Sequence, residues 1–146
     1  MNLYKSKYVA VLLLLSAAVV GCDGLDSKED VKAKEILIGS WYSEDKDASE
    51  REIKTVTTLD ASGTFSSRER ITGEPNEEKS SGPWYVTDGL LKLQTNEIDG
   101  RKLGTLESLF FTCKLVDLSP KDFACVQANG NRRFVFRRVS HDFALS

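Results

Sequence analysis

Histidine and methionine each occur once in the 146 residues, and cysteine and proline three times each. A single histidine, His141, with Cys22, Cys113 and Cys125 is too small a set for a histidine-based metal site or a cysteine-rich zinc framework, so neither metal nor cofactor is expected. An excess of positive charge is also missing. Lys and Arg total 20 against 22 for Asp and Glu, and without the first 21 residues, which hold Lys5 and Lys7, the balance is 18 against 22, a net −4. Nucleic acid is normally met by a strongly basic face, so no nucleic-acid partner is expected. The longest continuous apolar stretch, Val9 to Leu15, ends too soon for a comfortable membrane span. What remains, at 40% hydrophobic and 29% charged residues, is the composition of one ordinary water-facing domain.

The amino terminus reads as a processing segment. Lys5 and Lys7 make a short positive start, the apolar stretch follows, and small residues lead to Ala18-Val19-Val20-Gly21-Cys22. That ending resembles the lipobox of bacterial lipoproteins. The resemblance implies a signal peptide over 1–21, a lipid-modified Cys22 as the mature first residue, and a domain held on a bacterial membrane facing the periplasm. Acyl chains such as palmitate contribute about 0.8 kcal/mol per buried methylene, enough for anchorage without a spanning helix. Asp23 resembles the inner-membrane retention signal of enteric bacteria, but sorting rules differ elsewhere, so inner and outer membrane both stay open. Residues 22–36 then form a lipidated tether and a short helix, because Ser27 and Asp30 have capping-box-like spacing ahead of Val31 and Ile36-Leu37-Ile38.

With Cys22 assigned to lipid, Cys113 and Cys125 are the two thiols of an exported chain, and an oxidising compartment favours their pairing. Residues 110–117 and 121–127 read as strands around Leu118-Ser119-Pro120. A hairpin centred on Ser119 sets Cys113 opposite Cys125 and Leu115 opposite Phe123, a geometry a disulfide can bridge. Asn129-Gly130 is a strong two-residue turn that independently sets Cys125 opposite Phe134 and Phe123 opposite Phe136. Cys113, Leu115, Phe123, Cys125, Phe134 and Phe136 then share one face, and Asp122 faces Arg137 on the other as a surface ion pair.

Upstream, Asp88-Gly89 sets Trp84 opposite Leu93 and Val86 opposite Leu91, and Asp60 to Gly63 joins runs at 52–59 and 64–72. A strand at 38–44, and one near 104–109 that is either separate or continuous with 110–117, bring the count to seven or eight. The expected fold is all-β, an antiparallel up-and-down barrel of about eight strands over 37–140, with a tail at 141–146.

Gly39-Ser40-Trp41, Leu59-Asp60-Ala61-Ser62-Gly63-Thr64-Phe65 and Gly82-Pro83-Trp84-Tyr85-Val86 leading into Gly89-Leu90-Leu91-Lys92-Leu93 are similar to the lipocalin-like (calycin-type) domains of small bacterial lipoproteins, over about residues 37–139. In that family the first-strand Trp closes one barrel end beneath a basic side chain of the last strand, a role the resemblance gives to Trp41 and Arg138. The chain lacks a counterpart of the second lipocalin signature, between the sixth and seventh strands, and is shorter than a typical ligand carrier. A small eight-stranded barrel either holds one ligand or is filled by its own side chains.

Other candidates have plainer readings. His141 has no nucleophile partner beyond adjacent Ser140, and neighbours on an extended chain face opposite ways. Glu44, Asp45 and Asp47, like Glu74, Glu77 and Glu78, lack the ligand spacing of a calcium loop and read as solvated loops. Arg132-Arg133 and Arg137-Arg138 read either as a basic binding spot or as charge protecting a strand edge. Phe111 points in with Cys113, whereas outward Phe110, near Val116, Val126 and Val135, makes either a partner surface or a seat for the amino-terminal helix. The expected activity is therefore not enzymatic: a monomeric, lipid-anchored lipoprotein binds a small apolar ligand against Phe65, Trp84, Leu91, Leu93 and Phe134. The alternative is a cavity-free module that binds an envelope protein, as an inhibitor, immunity protein or assembly accessory.

Overall fold

The computed structural model describes residues 26–128 and 132–146, so the lipobox segment and the Asn129-Gly130 turn lie outside the described residues. Among the described residues one helix, α1 (Lys28–Leu37), precedes the strands β1 (Gly39–Lys46), β2 (Glu52–Leu59), β3 (Thr64–Ile71), β4 (Glu78–Thr87), β5 (Leu90–Thr95), β6 (Glu97–Ile98), β7 (Arg101–Lys102), β8 (Leu109–Val116), β9 (Asp122–Gln127) and β10 (Arg133–Val139). Eight of these strands form a closed antiparallel barrel in up-and-down order, with β8 following β5 and with β10 returning to β1. The two-residue strands β6 and β7 form a small hairpin attached to the start of β4.

Turn chemistry explains most of the register. The Asp60 carboxylate accepts from the backbone N–H groups of Ser62 and Thr64, both at 3.0 Å, and closes the β2–β3 hairpin with Leu59 opposite Phe65. Asp88 and Gly89 both have positive φ, 54° and 71°, as a tight hairpin turn whose twist matches the strands requires. Trp84 accordingly faces Leu93, and Val86 faces Leu91. On either side of residues 129–131, Cys125 faces Phe134 and Phe123 faces Phe136, as expected.

Two expectations are corrected. The β8–β9 register is displaced by two residues, with Cys113 opposite Gln127 and Leu115 opposite Cys125. Pro120 takes the second position of a turn over Ser119–Asp122, where its fixed φ fits, and Asp117 adopts a left-handed φ of 51° just before it. Because a shift of two preserves the pleat, both cysteines still point inward. They meet diagonally at disulfide distance, with a Cα–Cα separation of 5.4 Å. Residues 104–108 form no strand, for Gly104 and Glu107 close a local turn in which the Glu107 carboxylate accepts from the Gly104 N–H at 2.8 Å.

The core fills one end of the barrel. Trp41, Trp84, Leu59, Phe65, Leu91, Phe123 and the two cysteines are buried there, and α1 plugs this end with a fully buried Leu37. Ser27 caps the helix by accepting from the Asp30 N–H at 3.0 Å. The Asp30 carboxylate in turn accepts from the N–H groups of Asp88 and Gly89, at 3.0 and 2.9 Å, and so fastens the first helical turn to the β4–β5 hairpin. These donors, Gly89 first, hold the Asp30 carboxyl below its ordinary range.

The carboxy-terminal tail docks on the outer face of β1 and β2. Leu145 is buried with Tyr42 and Val56, and the Phe143 ring stands 5.1 Å from that of Tyr42. Arg137 lies opposite Asp122, but the expected ion pair gives way to stacking: its guanidinium sits 4.6 Å over the Tyr42 ring, and Asp122 accepts from the Ser119 hydroxyl. Burial, reinforced by a hydrogen bond to Glu44, pushes the Tyr42 hydroxyl up to about 12.

Candidate functional site at the open end of the barrel

Opposite the plugged end, the interior opens into a cavity of about 240 Å³. Alternation along each strand decides its lining. β2 sends Ile53, Thr55 and Thr57 inward, β3 sends Phe65, Ser67 and Glu69, and β1 adds Ser43 and Asp45. From the other side come Ser80 on β4, Leu93 and Thr95 on β5, Phe111 on β8, and Phe134 and Phe136 on β10. The carboxylates and most of the hydroxyls thus stand on a wall from β1–β3, and three of the four phenyl rings on a second wall from β8 and β10. Phe111 and Phe134 meet edge to face at 5.5 Å, a favoured aromatic geometry that holds the second wall in place.

The polar wall is largely satisfied from within. Thr57 and Ser67 share a hydroxyl hydrogen bond of 3.1 Å, and Thr55 donates to the Glu69 carboxylate at 3.4 Å. Arg132 spans the rim, pairing with Asp45 at 2.5 Å, donating to the Lys46 carbonyl and lying 5.3 Å over the Phe134 ring. Glu69 is paired in the sheet with Glu78 of β4. Partial burial, and then the neighbouring Glu78 charge, raise its carboxyl above the ordinary range.

Of the five residues expected to form an apolar ligand wall, Phe65, Leu93 and Phe134 line the cavity. Trp84 and Leu91 do not. Both are 2% exposed in the plugged end, where the Trp84 indole N–H donates to the Asp60 carbonyl. Leu91 lies one inward step deeper along β5 than Leu93, so the same face of one strand supplies both core and cavity. The Thr, Ser and Glu contributions were missed by sequence reasoning, although the inward alternation Ile53, Thr55, Thr57 beside Phe65, Ser67, Glu69 carries that signal.

At the plugged end, the Arg138 guanidinium lies 4.3 Å over the Trp41 ring. It also donates to the carbonyls of Pro120, Ile38 and Ile36 at 2.5, 3.0 and 2.6 Å, while the Trp41 indole N–H donates to the Leu37 carbonyl at 2.7 Å. Gly39 makes room for this arrangement. Its φ is 135°, and a Cβ there would stand 2.2 Å from an Arg138 nitrogen.

The remaining candidates have structural surroundings. His141 is exposed, its ring nitrogen 3.4 Å from the Thr58 hydroxyl. Asp47 organises the β1–β2 turn by accepting from the N–H groups of Ser49 and Arg51 and from the Arg51 guanidinium, which also reaches Glu74. Glu77 accepts the charges of Arg68 and Arg70. Among the described residues, no group of three or more potential metal-ligating side chains gathers. The four arginines around β10 are dispersed: Arg132 pairs with Asp45, Arg133 with Asp117, and Arg137 and Arg138 cover aromatic rings. Nor do they guard a strand edge, because β10 is paired on both sides. Phe110 points outward and is 69% exposed, and α1 packs at the barrel end instead of over it.

No family model matches this chain, and no curated protein matches it, so the functional argument rests on the barrel and its residues.

Proposed function

We propose that this protein is a lipid-anchored lipoprotein of the bacterial cell envelope, with a lipocalin-like domain that acts by binding a small, largely apolar ligand and not by catalysis. The observation that carries the reading is the open-ended cavity of about 240 Å³, whose far wall is Leu93, Phe111, Phe134 and Phe136. A concave, mostly preformed site with an apolar wall and a few converging polar groups is what small-molecule recognition uses. The volume suits a compact ligand with only a few rings or short chains. Support for the anchor comes from Lys5, Lys7, the apolar stretch and Gly21-Cys22, and for a lipocalin-like identity from Gly39, Trp41 and Arg138 acting together at the plugged end.

Native mass spectrometry of the protein, isolated gently from the envelope of its own host, tests the ligand reading. A small mass that departs on mild activation is expected; bare protein in every preparation counts against it. Cys22→Ser separately tests the anchor, and normal acylation of that variant refutes it.

A second reading is favoured by one surface feature. Leu106, Leu109 and Phe110 are 102%, 58% and 69% exposed within one short stretch, an apolar surface suited to an envelope protein partner. A protein-sized adduct in the same spectra that is lost with Phe110→Ser supports this reading instead.

A further inference from the structure

We infer that the ligand of this cavity is a cationic amphiphile, an amine whose charge is met by Glu69 and whose apolar body lies against Phe111 and Phe134. This rests on the ligand-binding reading above and names the chemical class that the site takes.

Three observations carry it. Both carboxylates of the lining, Asp45 and Glu69, stand on β1 and β3, while three of its four phenyl rings stand on β8 and β10, so a ligand that satisfies both has a polar end and an apolar end. Next, Glu69 stands directly opposite Glu78 across the β3–β4 pair, an arrangement of like charges that destabilises a sheet unless a cation lies nearby. Finally, the three nearby arginines are engaged elsewhere: Arg132 with Asp45, and Arg68 and Arg70 with Glu77. Among the described residues, no ion pair reaches Glu69 or Glu78.

An ammonium group beside Glu69 supplies the missing positive charge and three donors, which also suit the hydroxyl oxygens of Thr55 and Ser67. A carboxylate headgroup, as in a fatty acid, would bring another negative charge to partly buried Glu69 beside the Glu78 charge, so anionic amphiphiles are disfavoured. An inorganic cation would leave the ring wall without a partner. Burial first, and then the Glu78 charge, raise the Glu69 carboxyl, and a cation placed beside it would oppose both.

The test is isothermal titration calorimetry of the full-length chain in zwitterionic nanodiscs, with empty nanodiscs as control. The probes are 2-phenylethylamine, neutral 2-phenylethanol and 3-phenylpropionate. The amine is expected to bind roughly tenfold more tightly than the alcohol, and the carboxylate most weakly. Glu69→Gln, which is nearly isosteric and relieves the repulsion with Glu78, is expected to remove the amine preference, bringing the amine's affinity to within about twofold of the alcohol's in the same variant. Should that variant misfold by circular dichroism, Glu78→Gln serves in its place and is expected to weaken the preference. Equal binding of amine and alcohol, or tighter binding of the carboxylate, overturns the cationic assignment but keeps the ligand-binding reading. Failure of all three probes to bind at millimolar concentration overturns both.

Discussion

The Arg138 guanidinium covers the Trp41 indole at 4.3 Å across the β1–β10 pair that closes the barrel. Beneath it, the Trp41 indole N–H is satisfied by the Leu37 carbonyl, and the same guanidinium collects the Ile36 and Ile38 carbonyls at the end of α1. One cation therefore joins the last strand, the first strand and the helix plug, and it answers carbonyls that the helix end leaves without intrahelical partners.

Gly39→Ala is expected to disturb this joint, because the new Cβ meets the guanidinium and the backbone is held at φ 135°. A loss of about 1–3 kcal/mol in urea unfolding is expected from the strained backbone alone. Arg138→Ala is expected to cost about 1–2 kcal/mol, since the cation is exposed to solvent on its outer side. In the Gly39→Ala background the Arg138 substitution should cost less, and full additivity in the double-mutant cycle would contradict the shared joint.

Asp30 gives the fold a pH dependence of defined sign. Its carboxyl lies below the ordinary aspartate range because the Gly89 N–H, the Ser27 hydroxyl and the Asp88 N–H favour the charged form over the opposing cost of burial. A depressed carboxyl contributes stability that is fully present above its unfolded pKa and is lost as pH falls through the folded value. The stability gap between the native protein and Asp30→Asn should therefore be constant near neutrality and shrink below about pH 4, the usual aspartate range. A gap that widens on acidification would refute this account.

Cys113 and Cys125 enclose a short loop, 12 residues apart in sequence. Reduction, or replacement of both by Ala, is expected to lower stability by about 2–4 kcal/mol while leaving the β-sheet circular dichroism signature in place. An unchanged denaturation midpoint with dithiothreitol would show that the bond contributes nothing.

Leu93 separates cavity from core: it lines the open end, one inward step above buried Leu91. Leu93→Trp is expected to fill the cavity and abolish ligand adducts in native mass spectra, with the thermal midpoint shifted by only a few degrees. Leu91→Trp, in the packed end, is expected to destabilise the domain instead. If ligand binding survives Leu93→Trp in a folded protein, the ligand lies elsewhere.

Much of the barrel was legible in the chain because turn residues dictate register locally. Asp88-Gly89 and Asp60-Ala61-Ser62-Gly63 set the strand pairs beside them, and the pairs flanking 129–131 also match the turn-derived register. The β8–β9 hairpin departed because Pro120 and left-handed Asp117 moved its apex, a choice between neighbouring turns that strand alternation leaves open. The cavity was less legible, since Leu91 and Leu93, or Phe65 and Ser67, share a face and differ only in depth along the barrel.

By itself, the order of residues determined the alternation, the β2–β3 and β4–β5 hairpins, the inward cysteines and the Ser27 helix cap, because each depends on contacts within a few residues or across one turn. Only tertiary structure decided which barrel end α1 plugs, that Arg137 leaves Asp122 for Tyr42, and that Glu69 meets Glu78 beside a wall of phenyl rings. Those outcomes depend on how far strands are staggered around a closed sheet and on which end receives the helix. Both are set by packing among residues distant in the chain.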